Sequence, residues 1–272
     1  MTAQTRQQPQ TLAHIGLLAL DGCYTSSLAG IIDSLLVANA HIRNGHGEQA
    51  PQFSWEIISR DGAPVMATGH FPITASHSLA SASHCELLYI PALFYSGKRT
   101  FNQWLGEQQD ICAWLEQRWR AGSQLAANCT GTFLLAETGL LNARQATTTW
   151  WLEQQFRFRY PRVNLKVNEL ITQDEQLICA GAMSSYLHLA THFIDLFSSP
   201  EIAASCAKAM LVDMGQSVQA PYQSLSGVAD SLDPIIAKAT FWLQAHLHEN
   251  IEMQQLAAEV NVSQRTLIRK FK

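Results

Sequence analysis

The sequence predicts an α/β protein: a mainly parallel sheet with helices on both faces, followed by a small all-α helix-turn-helix unit. Three observations carry this. From His14 to Phe197, short apolar runs alternate with segments of helical period, the pattern of βαβ units. The 272 residues are 47% apolar and only 15% charged, a balance that suits a sheet buried on both faces. After Asp233 the strand signals stop and only helical spacing remains.

The first ten residues, MTAQTRQQPQ, are polar and predict no element. HIGLLAL (14–20) is a buried strand, and Asp21-Gly22-Cys23-Tyr24 is the loop after it. Thr25 or Ser26 can cap the next helix, where Leu28, Ile31, Ile32, Leu35, Leu36 and Ala38 keep helical spacing up to Ile42. FSWEIIS (53–59) is a second strand, and 65–73 a hairpin or irregular strand after the turn Asp61-Gly62-Ala63-Pro64. ELLYIP (86–91) is a third strand. A single helix is expected over 101–121, with Trp104, Leu105, Ile111, Trp114, Leu115 and Trp119 on its apolar face. Further on, 146–160 is a threonine run opening an aromatic helix that Pro161 ends. Short strands at 163–172 and 176–180 flank a polar turn at Gln173-Asp174-Glu175, and helices follow at 185–197 and 200–214. Trp104, Trp114, Trp119, Trp150 and Trp151, five of the seven tryptophans, read as core and interface residues.

The stretch QLAANCTGTFLLAETGLL (124–141) organises the rest. An apolar strand runs into Asn128-Cys129-Thr130-Gly131, and Phe133 to Ala136 begin a helix. Strand, sharp turn and helix with one cysteine on the turn is the geometry of a nucleophile elbow. It lies at the carboxyl end of a parallel strand, where ligands of such sheets bind. Gly131 allows close backbone packing, and a helix N-terminus favours a thiolate. A buried cysteine beside an ordinary helix start is the equally weighted alternative.

Composition narrows the function classes. The formal net charge is -4, so any nucleic-acid binding must come from a local basic face. The six cysteines (23, 85, 112, 129, 179 and 206) are scattered without a CxxC pair, which argues against a disulfide framework or a zinc site and for a reducing compartment. No segment reads as a membrane span or a signal sequence, so a cytoplasmic location is expected. His188 and His192 stand four apart, as a metal pair would, but no third ligand is evident and they read as ordinary histidines.

Residues 213–233 are rich in Ser, Gln, Gly and Ala and contain no Lys or Arg, which reads as a linker between domains at 11–212 and 234–272. Asp233 caps a helix with Pro234 at its first position. A short helix follows over 251–260, Asn261-Val262 is a turn wanting positive φ, and Ser263 caps a third helix, SQRTLIRKFK. Leu256 and Ala257 face inward, Val262 closes the core, and Leu267, Ile268 and Phe271 pack the third helix down. No acid lies between Ser263 and Lys272. Gln264 and Arg265 would project from the N-terminal turn of a recognition helix, with Ser263 and Thr266 beside them, and Arg269, Lys270 and Lys272 suit phosphate contacts. A solvated basic face on a helical bundle is the bland alternative.

These residues carry two resemblances. LAAEVNVSQRTLIRKFK (256–272) resembles the first recognition helix of AraC/XylS-type DNA-binding domains, with Asn261 where glycine is usual. NCTGTFLLAETGLLNARQATTTWW (128–151), with the Cys179-Ala180-Gly181 turn, resembles the ThiJ/PfpI branch of the class I glutamine amidotransferase-like fold. Together they resemble GlxA-type transcriptional regulators, which join these two domains in this order. The resemblance implies a flavodoxin-like sheet, a transcriptional regulator binding double-stranded DNA as a homodimer, and a small-molecule effector sensed at Asn128, Cys129, Thr130, Thr149 and Asp33, with no cofactor and no metal. Asp33 has two readings: it lies near the elbow, where relatives carry an acid, or on the helix surface. Catalytic relatives carry a histidine after the threonine pair. Here Thr147-Thr148 is followed by Thr149, and Leu187 stands where the family aspartate aligns, so a pseudo-enzyme sensing domain is expected. A cysteine hydrolase using Cys129 is the alternative. The resemblance covers only the first of the two helix-turn-helix units such domains usually have, and one unit gives few base contacts, so a dimer is expected to supply the rest through effective concentration.

Overall fold

A computed structural model describes residues 10–215, 218–219, 233–246 and 251–271. The chain divides between Gln219 and Ala220 into two compact units. No described helix is long and apolar enough to cross a membrane.

The first unit is built on a seven-stranded sheet. Its strands are β1 (Thr11–Leu18), β2 (Gln52–Ser59), β5 (His77–Ser78), β6 (Leu87–Ile90), β7 (Gln124–Asn128), β10 (Ile171–Asp174) and β11 (Leu177–Ala180), in the order β10-β11-β7-β6-β1-β2-β5. Every pairing is parallel except β10 with β11. Two small ladders stand outside it: β3 (Val65–Met66) antiparallel to β4 (Pro72–Ile73), and β8 (Gln145–Ala146) parallel to β9 (Asn164–Leu165). All residues of β6 and β11 are buried, as are Leu125 to Asn128 of β7, so both faces of the central strands are covered. That is why these strands read as unbroken apolar runs rather than alternating ones.

The covering helices form two groups. The long α1 (Thr25–His46) packs with α6 (Tyr186–Phe197) and α7 (Pro200–Ala209); α2 (Lys98–Gly106) and α3 (Gln109–Arg120) pack with the short α4 (Gly131–Glu137). Leu28, Ile31, Leu35, Ala38 and Ile42 bury the inner stripe of α1, as their spacing requires. Gly30 lets α6 approach: a Cβ there would lie 2.1 Å from the Tyr186 ring.

Several expectations are corrected. The helix expected over 101–121 is two helices, because the buried Gln108 turns the chain: its Nε2 donates to the Trp104 carbonyl at 2.9 Å and its Oε1 accepts from Arg60 at 2.8 Å. The helix expected over 146–160 is regular only in α5 (Glu153–Arg159), with a single 3₁₀ turn at Trp150–Leu152 before it. Thr147 to Thr149 are fully buried beside the elbow instead. The helix expected to reach 214 ends at Ala209, and the strand expected over 163–172 is broken into β9 and β10. Inside the stretch read as linker, Val218 bridges Glu169 and Gln219 is buried, so both pack as part of the first unit; residues 216–217 and 220–232 lie outside the described residues.

The second unit has three helices, α8 (Pro234–Ala245), α9 (Met253–Glu259) and α10 (Gln264–Phe271). Its core is Ala239, Leu256, Ala257, Val260 and Leu267, with Ile235, Trp242, Leu243 and Val262 packed on it. Ile268 and Phe271 depart from expectation: each is nearly half exposed and lines an open apolar groove with Met253, because α8 and α9 cover only one flank of α10.

Candidate ligand pocket and nucleic-acid interface

Cys129 sits on the turn between β7 and α4 with φ +55, the left-handed conformation an elbow requires of a side-chain-bearing residue. Such a residue costs about 1–3 kcal/mol and persists only where its surroundings hold it. They do so here. Its N–H donates to the Ala180 carbonyl at 2.8 Å, and its carbonyl accepts from the Thr148 hydroxyl at 2.8 Å. Gly131 is demanded by the same turn, since a Cβ would stand 2.4 Å from the Pro91 carbonyl oxygen and 2.9 Å from that of Ile90.

Asn128 and Thr130, expected in the pocket, are buried and bonded to the scaffold. Asn128 Nδ2 donates to the Ala182 carbonyl at 3.0 Å and to Ser185 Oγ at 3.1 Å, and its Oδ1 accepts from Ser27 at 3.4 Å. The Thr130 hydroxyl both donates to the Leu93 carbonyl and accepts from the Leu93 N–H, at 2.7 Å each. Thr149 is different. It is fully buried, and its hydroxyl has no hydrogen bond to nitrogen or oxygen but lies beside the Cys129 sulfur. Asp33 is exposed on α1 and makes no hydrogen bond or ion pair with any described residue; of its two readings the surface one holds, because the inner stripe of α1 passes through Ser27, Ile31 and Ser34. Sequence reasoning missed Ser27, Tyr89 and Ser185, which complete the hydrogen-bonded floor beneath the elbow; Ser27 Oγ and Tyr89 Oη lie 2.5 Å apart. No local signal marks them, because their partners lie far away in sequence.

The thiol does not behave as a helix N-terminus alone would dictate. Burial pushes Cys129 up to about 11, and the Thr130 N–H and the Thr149 and Thr130 hydroxyls offset only part of this. None of the described groups acting on the thiol is an imidazole. Desolvation of a thiolate outweighs one turn of helix dipole, so Cys129 is a neutral thiol at pH 7. Against the ordinary value of 9.0, a shift to about 11 leaves about 100-fold less thiolate. Alkylation mapped by mass spectrometry should therefore modify Cys129 about 100-fold more slowly than an exposed thiol at pH 7 and about tenfold more slowly at pH 10; preferential labelling of Cys129 at pH 7 would overturn this.

His188 and His192 line one cavity with Thr191, Asp195 and Met214. His192 Nε2 is 2.8 Å from Gln173 Oε1, and burial lowers its pKa. All six cysteines are free and buried.

In the second unit Asn261 takes φ +56 at the turn, as the helix-turn-helix reading requires. Ser263 Oγ accepts from the Thr266 N–H at 3.1 Å and caps α10. Gln264, Arg265 and Arg269 are exposed and free of ion pairs with described residues, so α10 presents an unopposed basic face. Lys270 departs from its expected role: it pairs with Asp233, tying α10 to the cap of α8. Lys272 lies outside the described residues.

No family model matches the chain. The HTH-type transcriptional regulator GbdR of Pseudomonas aeruginosa is 24% identical over 262 residues, covering 94% of this chain and 66% of its own length. The HTH-type transcriptional regulator CdhR of the same organism is 24% identical over 261 residues, with 94% and 72% covered. The chain thus spans about two thirds of the length of the curated relatives it matches. Among solved structures, a ThiJ/PfpI family protein from Pseudomonas syringae matches with TM-score 0.61 at 13% identity, over 94% of this chain and 93% of that one. A putative transcriptional regulator protein from Vibrio parahaemolyticus matches with TM-score 0.61 at 16% identity, over 74% and 99%. Over most of its length the chain is thus similar to HTH-type transcriptional regulators, and its first unit shares the fold of ThiJ/PfpI and DJ-1 proteins.

Proposed function

We propose that the chain is a DNA-binding transcriptional regulator whose first unit senses a small molecule without catalysing a reaction. The observation that carries the proposal is that the chain holds both α10, capped and basic on its open face, and an elbow whose cysteine is neutral and is acted on by no imidazole among the described residues. Gln264 and Arg265 stand where a recognition helix reads base edges, and Arg269 where it grips phosphate. At the elbow the Thr149 hydroxyl is left for a ligand's polar atom, with Cys129 beside it. Two copies of the chain, joined through their first units, present two such helices.

Selection from random duplexes across a salt series tests this reading. Recovery of a motif in two similar half-sites, with affinity falling as salt rises, is the expected result. No enrichment at any salt concentration counts against it. The left-handed elbow also favours a second reading, a cysteine-dependent hydrolase of the ThiJ/PfpI kind. Among the described residues no imidazole acts on Cys129 as proton acceptor, so no acyl-cysteine should accumulate with activated esters; a trapped one would restore this reading.

A further inference from the structure

A cluster at the other end of the sheet takes no part in that reading. His14 and Glu56 stand midway along β1 and β2, with His77 at the start of β5 and Cys85 just before β6, whereas Cys129 lies beyond the carboxyl end of β7. The Glu56 carboxylate is 4% exposed. Around it stand His14 Nε2 at 3.5 Å, His77 Nδ1 at 3.1 Å and Cys85 Sγ at 3.6 Å. Its one main-chain donor is the Ser83 N–H at 2.9 Å.

We propose that His14, Glu56, His77 and Cys85 form a binding site for one divalent transition-metal ion of the zinc class. The donor set is two imidazoles, a carboxylate and a thiol, the mixture that borderline cations select and that magnesium and calcium do not. The ligand atoms of His14, Glu56 and Cys85 all lie within 4.8 Å of one another. His77 Nδ1 stands 3.1 Å from Glu56 but outside that three-residue group, so its ring must swing in to serve as the fourth ligand.

Two details separate this from a plain hydrogen-bond network. His77 Nδ1 stands 3.1 Å from Glu56, yet it is a buried atom without a hydrogen-bond partner among the described residues, so it is left unsatisfied beside the cluster. His14 has its other nitrogen, Nδ1, 2.8 Å from Ser54 Oγ, the outer hydrogen bond that orients a ligating imidazole. Charge also balances. A dication with one carboxylate, one thiolate and two neutral imidazoles is net neutral, which a buried site tolerates. Binding forms the metal–sulfur bond and breaks the Cys85 S–H bond, and that proton leaves to solvent. The entry path runs past the two histidines, whose side chains are 23% and 38% exposed, while Glu56 and Cys85 form the floor. Arg118 is held away by the Ala82 and Ser83 carbonyls at 2.9 and 3.2 Å.

The test is equilibrium dialysis of the metal-stripped, tag-free chain against Zn²⁺ alone, with bound metal quantified by mass spectrometry. The expected result is one equivalent per chain. His77→Ala, at the half-exposed wall and so mild for folding, and Cys85→Ser should each weaken retention at least about tenfold. Cys206→Ser, at a buried cysteine outside the cluster, should leave it unchanged. Co²⁺ in place of Zn²⁺ should give a sulfur-to-metal charge-transfer band that Cys85→Ser abolishes. Absence of retained metal, retention indifferent to both substitutions, or a Co²⁺ complex without that band overturns the proposal.

Discussion

Gly131→Ala is expected to cost the first unit about 3 kcal/mol and to lower its melting midpoint by about 6–12 °C. The added Cβ would meet backbone on both sides, the Pro91 oxygen at 2.4 Å and the Ile90 oxygen at 2.9 Å. No flexible side-chain end is available to yield, so either the β6 terminus or the elbow must shift. Both are fixed from elsewhere, the first through Leu93 and Thr130, the second through the Ala180 carbonyl. Gly45→Ala is the control: nothing lies within 4 Å of its Cβ position, on α1, and the change should stabilise by roughly 0.5–1 kcal/mol. Melting followed by circular dichroism checks both. A Gly131→Ala midpoint within 2 °C of the parent, roughly the shift for 1 kcal/mol, would show that the close approach is not needed.

The second large effect concerns α10 and rests on the regulator reading. Arg265→Ala should reduce affinity for a selected duplex about 10–100-fold and relax preference at one base position, the loss of a base-edge contact. Arg269→Ala should weaken all sequences alike and lower the salt slope by about one, the loss of a phosphate contact. Lys270→Ala should behave as neither, because its charge is spent on Asp233 and the change loosens α10 from α8. Competition binding in a salt series separates the three. If Arg265→Ala keeps the parent's ratio of selected to scrambled affinity, α10 does not read bases.

The parts of the structure legible in the sequence share a cause. β1, β2, β6 and β7 are strands buried between two helical layers, so each announces itself as an apolar run, and the elbow follows one of them. α8 to α10 announce themselves through a cap at each end, Asp233 and Ser263, and Asn261 at the turn between α9 and α10. What was illegible depends on partners distant in sequence. The break between α2 and α3 needs Arg60, 48 residues before Gln108. Lys270 looked available for DNA because Asp233 is 37 residues away. β5 is a two-residue polar edge strand and has no pattern to find. Asp33 shows the limit of helix spacing alone: a small error in rotating α1 exchanges a pocket residue for a surface one.

The threonine run shows a different limit. Thr147 and Thr148 read as the opening of a helix, yet they lie outside any helix or strand. The Gln219 amide donates to the Thr148 carbonyl at 2.9 Å and to the Val167 carbonyl at 2.7 Å, and the Thr148 hydroxyl holds the elbow carbonyl. Helix propensity is a weak preference that tertiary hydrogen bonds override.

The way the elbow is held has a consequence for how the protein comes into being. Its hydrogen bonds reach Ser27, 101 residues earlier, Leu93, 37 residues earlier, and Ser185, 57 residues later. Non-local pairings repay their loop-closure entropy only after the intervening chain has been ordered, and parallel sheets are intrinsically slow for this reason. Cys129 enters its strained conformation only when β6, β7 and β11 are already side by side and α1 lies across them. The turn is therefore among the last features to form, and a folding chain carries its central cysteine exposed until then.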